Sequence, residues 1–314
     1  MQTILGAGGS IGTELALELK KYTDRVRIVS RNPEKVNDND ELIKADLTDP
    51  EATKKAVEGS EVVYLTVGLP YFYKVWNKAW PLIMNNCINA CKLYGAKMVF
   101  FDNIYLYDRE QFNYLDENTT VAPSSKKGEV RANIAEKFMN AVNSKEIEGL
   151  IARSPDFIAI KNSIPVEMVY KSLVQGKRAQ WFSTFNKKHT FIYAPDAARA
   201  SALLGNTPEA YGQVWHLPSI EEKLTGDQWI DLFARHMQLD AKKMTIPIWL
   251  TKTMGIFVPI MKELGEMAYQ YDRDYIFVDK KFREKFDFQT VSADEAVSQI
   301  VSLLNQNFSG KKVA

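Results

Sequence analysis

The clearest chemical signal in the chain is a glycine-rich run near its start, Gly6–Gly12. The run ends a short apolar strand and opens an amphipathic helix, which is the context in which such glycines bind a dinucleotide. Small residues let the backbone approach a pyrophosphate, and the helix N-terminus offers free N–H groups to the anion. A glycine-rich turn without a ligand is the alternative. The pattern predicts cofactor contacts from Gly6, Gly8, Gly9, Ser10, Ile11 and Gly12.

The end of the second predicted strand, Val26–Val29, indicates which dinucleotide fits. An acidic side chain at this point would bind the ribose 2′-hydroxyl of NAD. The sequence instead continues Ser30-Arg31-Asn32. A guanidinium pairs well with phosphate oxygens, so Arg31 favours NADP. NAD remains the second candidate, and a solvated surface arginine without a role is the alternative for Arg31.

Two further segments follow predicted strands at spacings that suit the same site. Asp46 and Leu47 come after the third strand region, where an aspartate can contact the adenine amino group. Thr66, Val67 and Gly68 end the fourth strand, where backbone lies along the cofactor. Each segment is weak evidence alone, but their order along the chain supports the glycine motif.

The elements that would position these residues alternate strand and helix through the first half of the chain. This rhythm predicts an α/β fold with a doubly wound parallel sheet of the Rossmann type. We expect an NAD(P)-binding domain over residues 1–155, to which residues 191–217 return. Residues 156–190 and 218–314 would form a smaller C-terminal α/β domain, with a small-molecule substrate in the cleft between the two.

Composition excludes several other classes of protein. The 314 residues carry 40 basic and 39 acidic side chains, a net charge of +1, whereas nucleic-acid binders have a basic excess. No apolar run is long enough to suggest a membrane span, so a cytoplasmic location is expected. Cys87 and Cys91 read as buried thiols, no metal-ligand spacing is present, and a homodimer is possible.

The chain resembles the NAD-dependent epimerase/dehydratase family, the extended short-chain dehydrogenases/reductases, in an ordered set of segments. In that family a segment like Tyr193–Ala200 returns to the Rossmann domain. The segments that carry the resemblance are Gly6–Gly12, Asp46-Leu47, Thr66–Gly68, Phe101–Tyr107, Arg153–Pro155, Tyr193–Ala200 and Gly212–Leu217.

The resemblance breaks at the family's catalytic set, a Ser or Thr after the fifth strand followed by Tyr-x-x-x-Lys. Asn103 stands at the serine position, and the expected Tyr and Lys fall near Gly128 and Ala132. The Lys-x-x-Val-Arg run beginning at Lys127 resembles atypical members, such as isoflavone-reductase-like and phenylcoumaran benzylic ether reductases. In those proteins a lysine acts as the general base or orients the reacting group.

Three residues are therefore candidates for the chemistry. Lys127 could act as a base, because a lysine beside a cationic nicotinamide in a partly dry cleft titrates nearer neutral pH. Tyr105 could act as an acid on the loop after the fifth strand, and Asn103 could hydrogen-bond a substrate oxygen. The alternatives are a solvated Lys127, a Tyr105 that packs at the domain interface, and an Asn103 that braces the loop. His216 reads as structural.

The aromatic segment Leu69–Trp80 would line a pocket for a flat or apolar substrate, or pack against the second domain. The sequence thus predicts an NAD(P)-dependent oxidoreductase or isomerase acting on a small hydroxyl- or carbonyl-bearing substrate. A non-catalytic dinucleotide-binding sensor or regulator is the second hypothesis, supported by the lost Tyr-x-x-x-Lys. A nucleotide-sugar epimerase or dehydratase is the third.

Overall fold

The structure, a computed structural model, describes residues 1–255 and 258–310. Its strands are β1 (Gln2–Leu5), β2 (Val26–Ser30), β3 (Glu41–Lys44), β4 (Val62–Leu65), β5 (Lys97–Asn103), β6 (Gly149–Ser154), β7 (Asp156–Ile158), β8 (Ala179–Phe182), β9 (Phe191–Tyr193), β10 (Val214–His216) and β11 (Lys243–Ile246).

The α-helices lie between and after these strands. They are α1 (Ser10–Leu19), α2 (Pro50–Val57), α3 (Tyr73–Tyr94), α4 (Lys126–Asn143), α5 (Lys171–Val174), α6 (Ala194–Gly205), α7 (Gly226–Met237), α8 (Ile248–Met254), α9 (Pro259–Met267), α10 (Lys280–Lys285) and α11 (Ala293–Gly310). A π-helical turn, Val166–Tyr170, precedes α5, and 3-10 turns cover Arg109–Gln111, Pro208–Ala210 and Ala268–Tyr271.

Seven strands form one sheet in the order β10-β6-β5-β4-β1-β2-β3, and every pairing in it is parallel. The strand order reverses between β1 and β4: β2 and β3 lie on one side of β1, and β5 and β6 lie on the far side of β4. Ligands of such sheets bind outside the carboxyl ends of the strands at this switch point. The predicted doubly wound Rossmann fold is confirmed.

Both faces of the sheet are buried except at the edge strand β3, which explains the near-continuous apolar sequence of the central strands. Alternate residues point to opposite faces. Leu5 and Phe100 therefore belong to the core shared with α2, α3 and α4, while Ile4 and Val99 belong to the core shared with α1 and α6. The sheet is a rigid platform whose carboxyl edge holds the loops described below.

The C-terminal half builds a separate apolar cluster from β8, β9, α7 and α11, with Trp181, Phe191 and Trp229 fully buried in it. A smaller cluster joins the loop after β5 to the C-terminal region through Phe112, Tyr275 and their neighbours. β10 returns to the sheet edge beside β6, and α6 packs against α1.

The sequence pattern predicts a helix over Trp80–Tyr94, but α3 begins seven residues earlier, at Tyr73. The sequence lacks a start signal because Phe72, the N-cap residue, makes no side-chain cap. The free N–H of Tyr73 is instead accepted by a carboxylate oxygen of Glu263, 3.1 Å away. A partner 190 residues distant in sequence cannot be read from local pattern. The sequence pattern also predicts one helix over Ser163–Gln175. The structure has helical backbone there, but as the π-helical turn Val166–Tyr170 followed by the short α5.

The prediction of buried thiols is confirmed: Cys87 and Cys91 are free and buried, and burial raises the pKa of Cys91 to about 12. No helix within the described ranges could cross a lipid bilayer. In the same part of the chain, no group of three or more His, Cys, Asp or Glu side chains is placed to hold a metal ion.

Candidate functional site

The glycine loop lies at the carboxyl edge of the sheet, pressed against the end of β4. Gly6 has a φ of +93°, and a Cβ on it would lie 2.5 Å from the Cα of Val67. A Cβ on Gly12 would lie 2.8 Å from the Cα of Ala7. Since such distances are far below van der Waals contact, only glycine allows strand, loop and α1 to approach this closely.

The outer side of the same loop is open. A Cβ on Gly8 or Gly9 would meet nothing within 4 Å, and Gly9 is the N-cap of α1 without any side-chain cap. The free N–H groups at the start of α1 therefore face open space with a favourable dipole. Ser10 donates a 2.7 Å hydrogen bond to the Lys161 carbonyl, and Ile11 is buried. This cradle fits the pyrophosphate of a dinucleotide.

The ends of β2 and β3 present one cation and one anion. Arg31 is exposed, and it makes no ion pair within the described residues. Asp46 is also exposed; hydrogen bonds from Thr48 chiefly, with a smaller contribution from Arg31, lower its pKa. Leu47 is buried, and its carbonyl accepts a 3.0 Å hydrogen bond from Asn86. The exposed Arg31 guanidinium is thus available to an anion.

The loop after β4 continues this edge. The Thr66 hydroxyl donates to the Leu5 carbonyl at 3.3 Å, which ties β4 to β1 beside the glycine loop. Val67 packs against Gly6. Gly68 is exposed, and a Cβ on it would meet nothing within 4 Å. Backbone at Gly68 is therefore open to a ligand lying across the strand ends.

Tyr105 stands on the loop after β5 within an aromatic wall. Its ring stacks on Trp76 with centroids 6.2 Å apart, and its hydroxyl accepts a 3.2 Å hydrogen bond from Tyr71. Burial, followed by the charge of Asp156, raises the pKa of Tyr105 well above its ordinary value. The phenol therefore stays protonated at neutral pH. Because Tyr71 is the donor between the two hydroxyls, the Tyr105 O–H is left to donate a hydrogen bond elsewhere.

Asn103 braces this loop, because its side-chain oxygen accepts a 3.2 Å hydrogen bond from the Tyr105 N–H. The brace was one of the two alternatives for this residue. It leaves the amide N–H groups of Asn103 without a partner among the residues that the structure describes. A role toward substrate and a bracing role are therefore compatible.

The positions expected for the catalytic Tyr and Lys are structurally closed. A Cβ on Gly128 would lie 2.3 Å from the Tyr105 carbonyl oxygen, so no side chain fits there without moving the loop. Ala132, like Tyr71 and Tyr105, packs against the apolar cluster that contains Phe112 and Tyr275. The departure from Tyr-x-x-x-Lys is thus part of how α4 packs against the loop after β5.

Lys127 is fully buried, so the alternative of a solvated Lys127 is wrong, while Lys126 is exposed. The Lys127 ammonium group pairs with the carboxylate of Glu263 and, at 2.7 Å, with that of Glu266; both glutamates lie on α9. Glu263 also accepts from the first N–H of α3, and Glu266 accepts from the Lys126 N–H at the start of α4. We call Lys127, Glu263 and Glu266 the α9 latch.

Sequence reasoning missed the latch and also missed Asp156. That residue opens β7, separated from the end of β6 by Pro155 alone, and its side chain is 21% exposed. Its Oδ2 lies 2.9 Å from Nε2 of the buried His189 and 3.4 Å from the Tyr271 hydroxyl. A carboxylate at the carboxyl end of a central strand was a usable signal, but the pairing with His189 is not visible in sequence.

A buried polar network lies directly beneath the candidate residues. Asp102 accepts hydrogen bonds from Arg131 at 2.8 Å and from Arg153 at 3.0 Å. Arg153 also donates to the Tyr107 hydroxyl, which lies 2.7 Å from Nε2 of His216. The network joins β5, α4, β6 and β10, and so fixes how the loop after β5 meets α4.

His216 is neutral in this network, and its tautomer follows from its partners. Nδ1 lies 2.9 Å from the Val278 carbonyl, which can only accept, so Nδ1 carries the proton. Nε2 then accepts from the Tyr107 hydroxyl. Burial and the nearby Arg153 charge hold the His216 pKa well below its ordinary value. The prediction of a structural histidine is confirmed.

Comparison with known proteins agrees with this geometry. Residues 6–136 match a family model described as NAD(P)H-binding. No curated protein sequence matches the chain significantly. The part of the chain that contains the glycine loop and Lys127 is therefore similar in sequence to NAD(P)H-binding proteins.

Solved structures share the fold over nearly the whole chain. UDP-glucose 4-epimerase from Thermus thermophilus in complex with NAD has a TM-score of 0.76 and 16% identity, covering 96% of this chain and 98% of its own. A GalE-like L-threonine dehydrogenase from Cupriavidus necator has a TM-score of 0.78 and 17% identity, with 96% and 99% covered.

A short-chain dehydrogenase/reductase superfamily protein from Agrobacterium tumefaciens with bound NAD has a TM-score of 0.76 and 14% identity, with 100% of both chains covered. At these identities the likeness is one of fold. The predicted resemblance to extended short-chain dehydrogenases/reductases is confirmed at that level.

Proposed function

We propose that the protein is an NADP-dependent oxidoreductase or isomerase that acts on a small hydroxyl- or carbonyl-bearing molecule. The observation that carries the proposal is the glycine loop, closed by Gly6 and Gly12 toward the sheet and open at Gly8 and Gly9 toward the N-terminus of α1. Gly6–Gly12 and Gly68 would hold the dinucleotide. The bound nicotinamide would accept or supply hydride.

Among the candidates for proton transfer, the contacts favour Tyr105 over Lys127. Tyr105 accepts from Tyr71 and keeps its own proton free, so it can donate to a substrate carbonyl oxygen. Asn103 can add a second donor through its amide. Lys127 is engaged by both carboxylates of the α9 latch and reaches a substrate only if the latch opens.

The second candidate is a non-catalytic dinucleotide-binding sensor. The closed position at Gly128 and the engaged Lys127 favour it. Turnover separates the two functions: an oxidoreductase interconverts NADP⁺ and NADPH in the presence of a carbonyl or alcohol, while a sensor binds both forms without converting them. The lost Tyr-x-x-x-Lys disfavours a nucleotide-sugar epimerase, whose reversible oxidation passes through that tyrosine.

We expect Gly9→Val to abolish detectable dinucleotide binding while leaving the protein folded. Gly9 has ordinary extended backbone and free space around its Cβ position, so the larger side chain enters only the space proposed for the pyrophosphate. Titration calorimetry with NADPH and NADH measures the loss.

The matched control is Thr225→Val, which removes the capping box of α7 far from the loop. Both variants should lose about 1 kcal/mol of helix capping, but only Gly9→Val should lose cofactor. Undiminished binding by Gly9→Val would refute the assignment of the loop.

We expect Arg31→Ala to weaken NADPH binding roughly 10- to 100-fold, since a charged hydrogen bond to phosphate contributes about 1.5–3 kcal/mol. NADH binding should change little, because NADH has no 2′-phosphate. Arg25→Ala is the control, removing an equally exposed arginine from the opposite end of β2. Equal weakening of NADPH and NADH by Arg31→Ala would show that Arg31 does not recognise the 2′-phosphate.

A further inference from the structure

Asp156 lies at the same edge of the sheet as Tyr105, the proposed proton donor, and at the equivalent position along the neighbouring strand. Strands β5 and β6 pair Asn103 with Ser154. Tyr105 and Asp156 each follow their paired residue by two positions. The two residues therefore lie just beyond the carboxyl ends of neighbouring strands, Tyr105 on the loop after β5 and Asp156 at the start of β7. Neither the sequence pattern nor the proposed function assigns a role to Asp156.

The carboxylate of Asp156 is held from one side only. Oδ2 accepts from His189 at 2.9 Å, with the Tyr271 hydroxyl at 3.4 Å. Oδ1 has no hydrogen-bond partner among residues 1–255 and 258–310, and the side chain is 21% exposed. One oxygen is thus fixed by a buried partner while the other remains available.

His189 is itself locked by aromatic rings. It stacks on Tyr271 with centroids 4.5 Å apart, and Phe191 and Tyr275 lie at 4.6 Å. With 2% of its surface exposed, the imidazole cannot turn away from Asp156. The carboxylate is therefore a preorganised group, which is the condition for useful electrostatics in a site.

The negative charge of Asp156 reaches the candidate residues. After burial, it is a cause of the raised pKa values of Tyr105, Tyr71 and Tyr269. These tyrosines come from the loops after β4 and β5 and from the 3-10 turn following α9. The carboxylate thus stands among the side chains that surround the proposed reacting position.

We infer that Asp156 is the anionic group at the reacting end of the cofactor site, where it favours the oxidised, positively charged nicotinamide and offers Oδ1 to a hydrogen-bond donor of the substrate. This rests on the proposed function. The inference narrows the substrate to a molecule that presents a hydroxyl or amine to Oδ1 of Asp156. A substrate with an anionic group at that position would be repelled by the Asp156 carboxylate. His189 is a positioning residue.

The test compares the affinities of NADP⁺ and NADPH by titration calorimetry, so it needs no substrate. Removing a unit charge near the nicotinamide should weaken NADP⁺ relative to NADPH by on the order of tenfold in Asp156→Asn. Asp156→Glu keeps the charge and should keep the wild-type ratio. Asp24→Asn, which removes an exposed charge at the opposite edge of the sheet, should change neither affinity.

The outcomes separate the two proposals. If wild type binds neither form, the proposed function fails, and this inference fails with it. If wild type binds both forms but Asp156→Asn leaves their ratio unchanged, or lowers both affinities equally, only the role of Asp156 is overturned. A selective loss of NADP⁺ affinity that Asp156→Glu restores supports it.

Discussion

Asp102→Ala is expected to lower the free energy of unfolding by about 3–5 kcal/mol, the range for removing one partner of a buried ion pair. Asp102 is 1% exposed, and its carboxylate is the shared acceptor for Arg131 and Arg153, both nearly fully buried. Without it, two guanidinium groups remain inside the protein facing each other. Urea denaturation followed by circular dichroism measures the change.

Asp294→Ala is the matched control, because this aspartate also contacts two cationic side chains, Arg235 and His236, but is 58% exposed. Surface pairs contribute about 0–1 kcal/mol, so the control should be nearly neutral. Similar effects for the two variants would show that burial of the Asp102 network contributes nothing. The network also positions the candidate site, because Asp102 directly precedes Asn103 and Arg131 lies one helical turn after Lys127.

The sequence predicted the sheet and the cofactor edge because both depend on local pattern. Apolar runs alternating with amphipathic segments determine the order of strands and helices. In a parallel sheet, every residue that follows a strand then reaches the same edge. This places Gly8, Arg31, Asp46 and Gly68 together once the strands are identified, without knowledge of any distant contact.

The sequence did not predict the partners that decide the chemistry, because those partners are distant along the chain. Lys127 reads as a polar residue before a helix, and only the fold brings Glu263 and Glu266 to it. The sequence misses the early start of α3 for the same reason, since the carboxylate that accepts its first N–H also belongs to Glu263. Local sequence pattern determines where the helices and strands lie. The contacts of a given residue depend on side chains that loops and C-terminal helices bring to it from elsewhere in the chain.

Lys127 has two possible roles that the α9 latch makes distinguishable. As a base it would have to leave Glu263 and Glu266 and meet a substrate. As a structural cation it holds α9 against the first turns of α3 and α4, whose N–H groups the same carboxylates accept. The ring of Tyr71 lies 4.9 Å from the ammonium group, so this contact also links the latch to the aromatic wall around Tyr105.

We expect Lys127→Met to destabilise the protein by about 2–4 kcal/mol, toward the lower part of the range for buried pairs because its partners are partly exposed. The side chains of Glu263 and Glu266 are 15% and 24% exposed and can recover some hydration. Lys126→Met makes the same change at the exposed neighbouring lysine and should cost no more than about 0.5 kcal/mol. Urea denaturation gives both values.

Hydrogen exchange by mass spectrometry separates the two roles of Lys127. If the latch holds α9, amide exchange in Pro259–Met267 should rise in Lys127→Met and remain unchanged in Lys126→Met, because a helix released from its contacts opens locally. NADPH affinity should stay within about twofold, since the glycine loop is untouched and sites without shared contacts are nearly independent. Unchanged exchange in α9 together with lost turnover would instead make Lys127 a group that acts on the substrate.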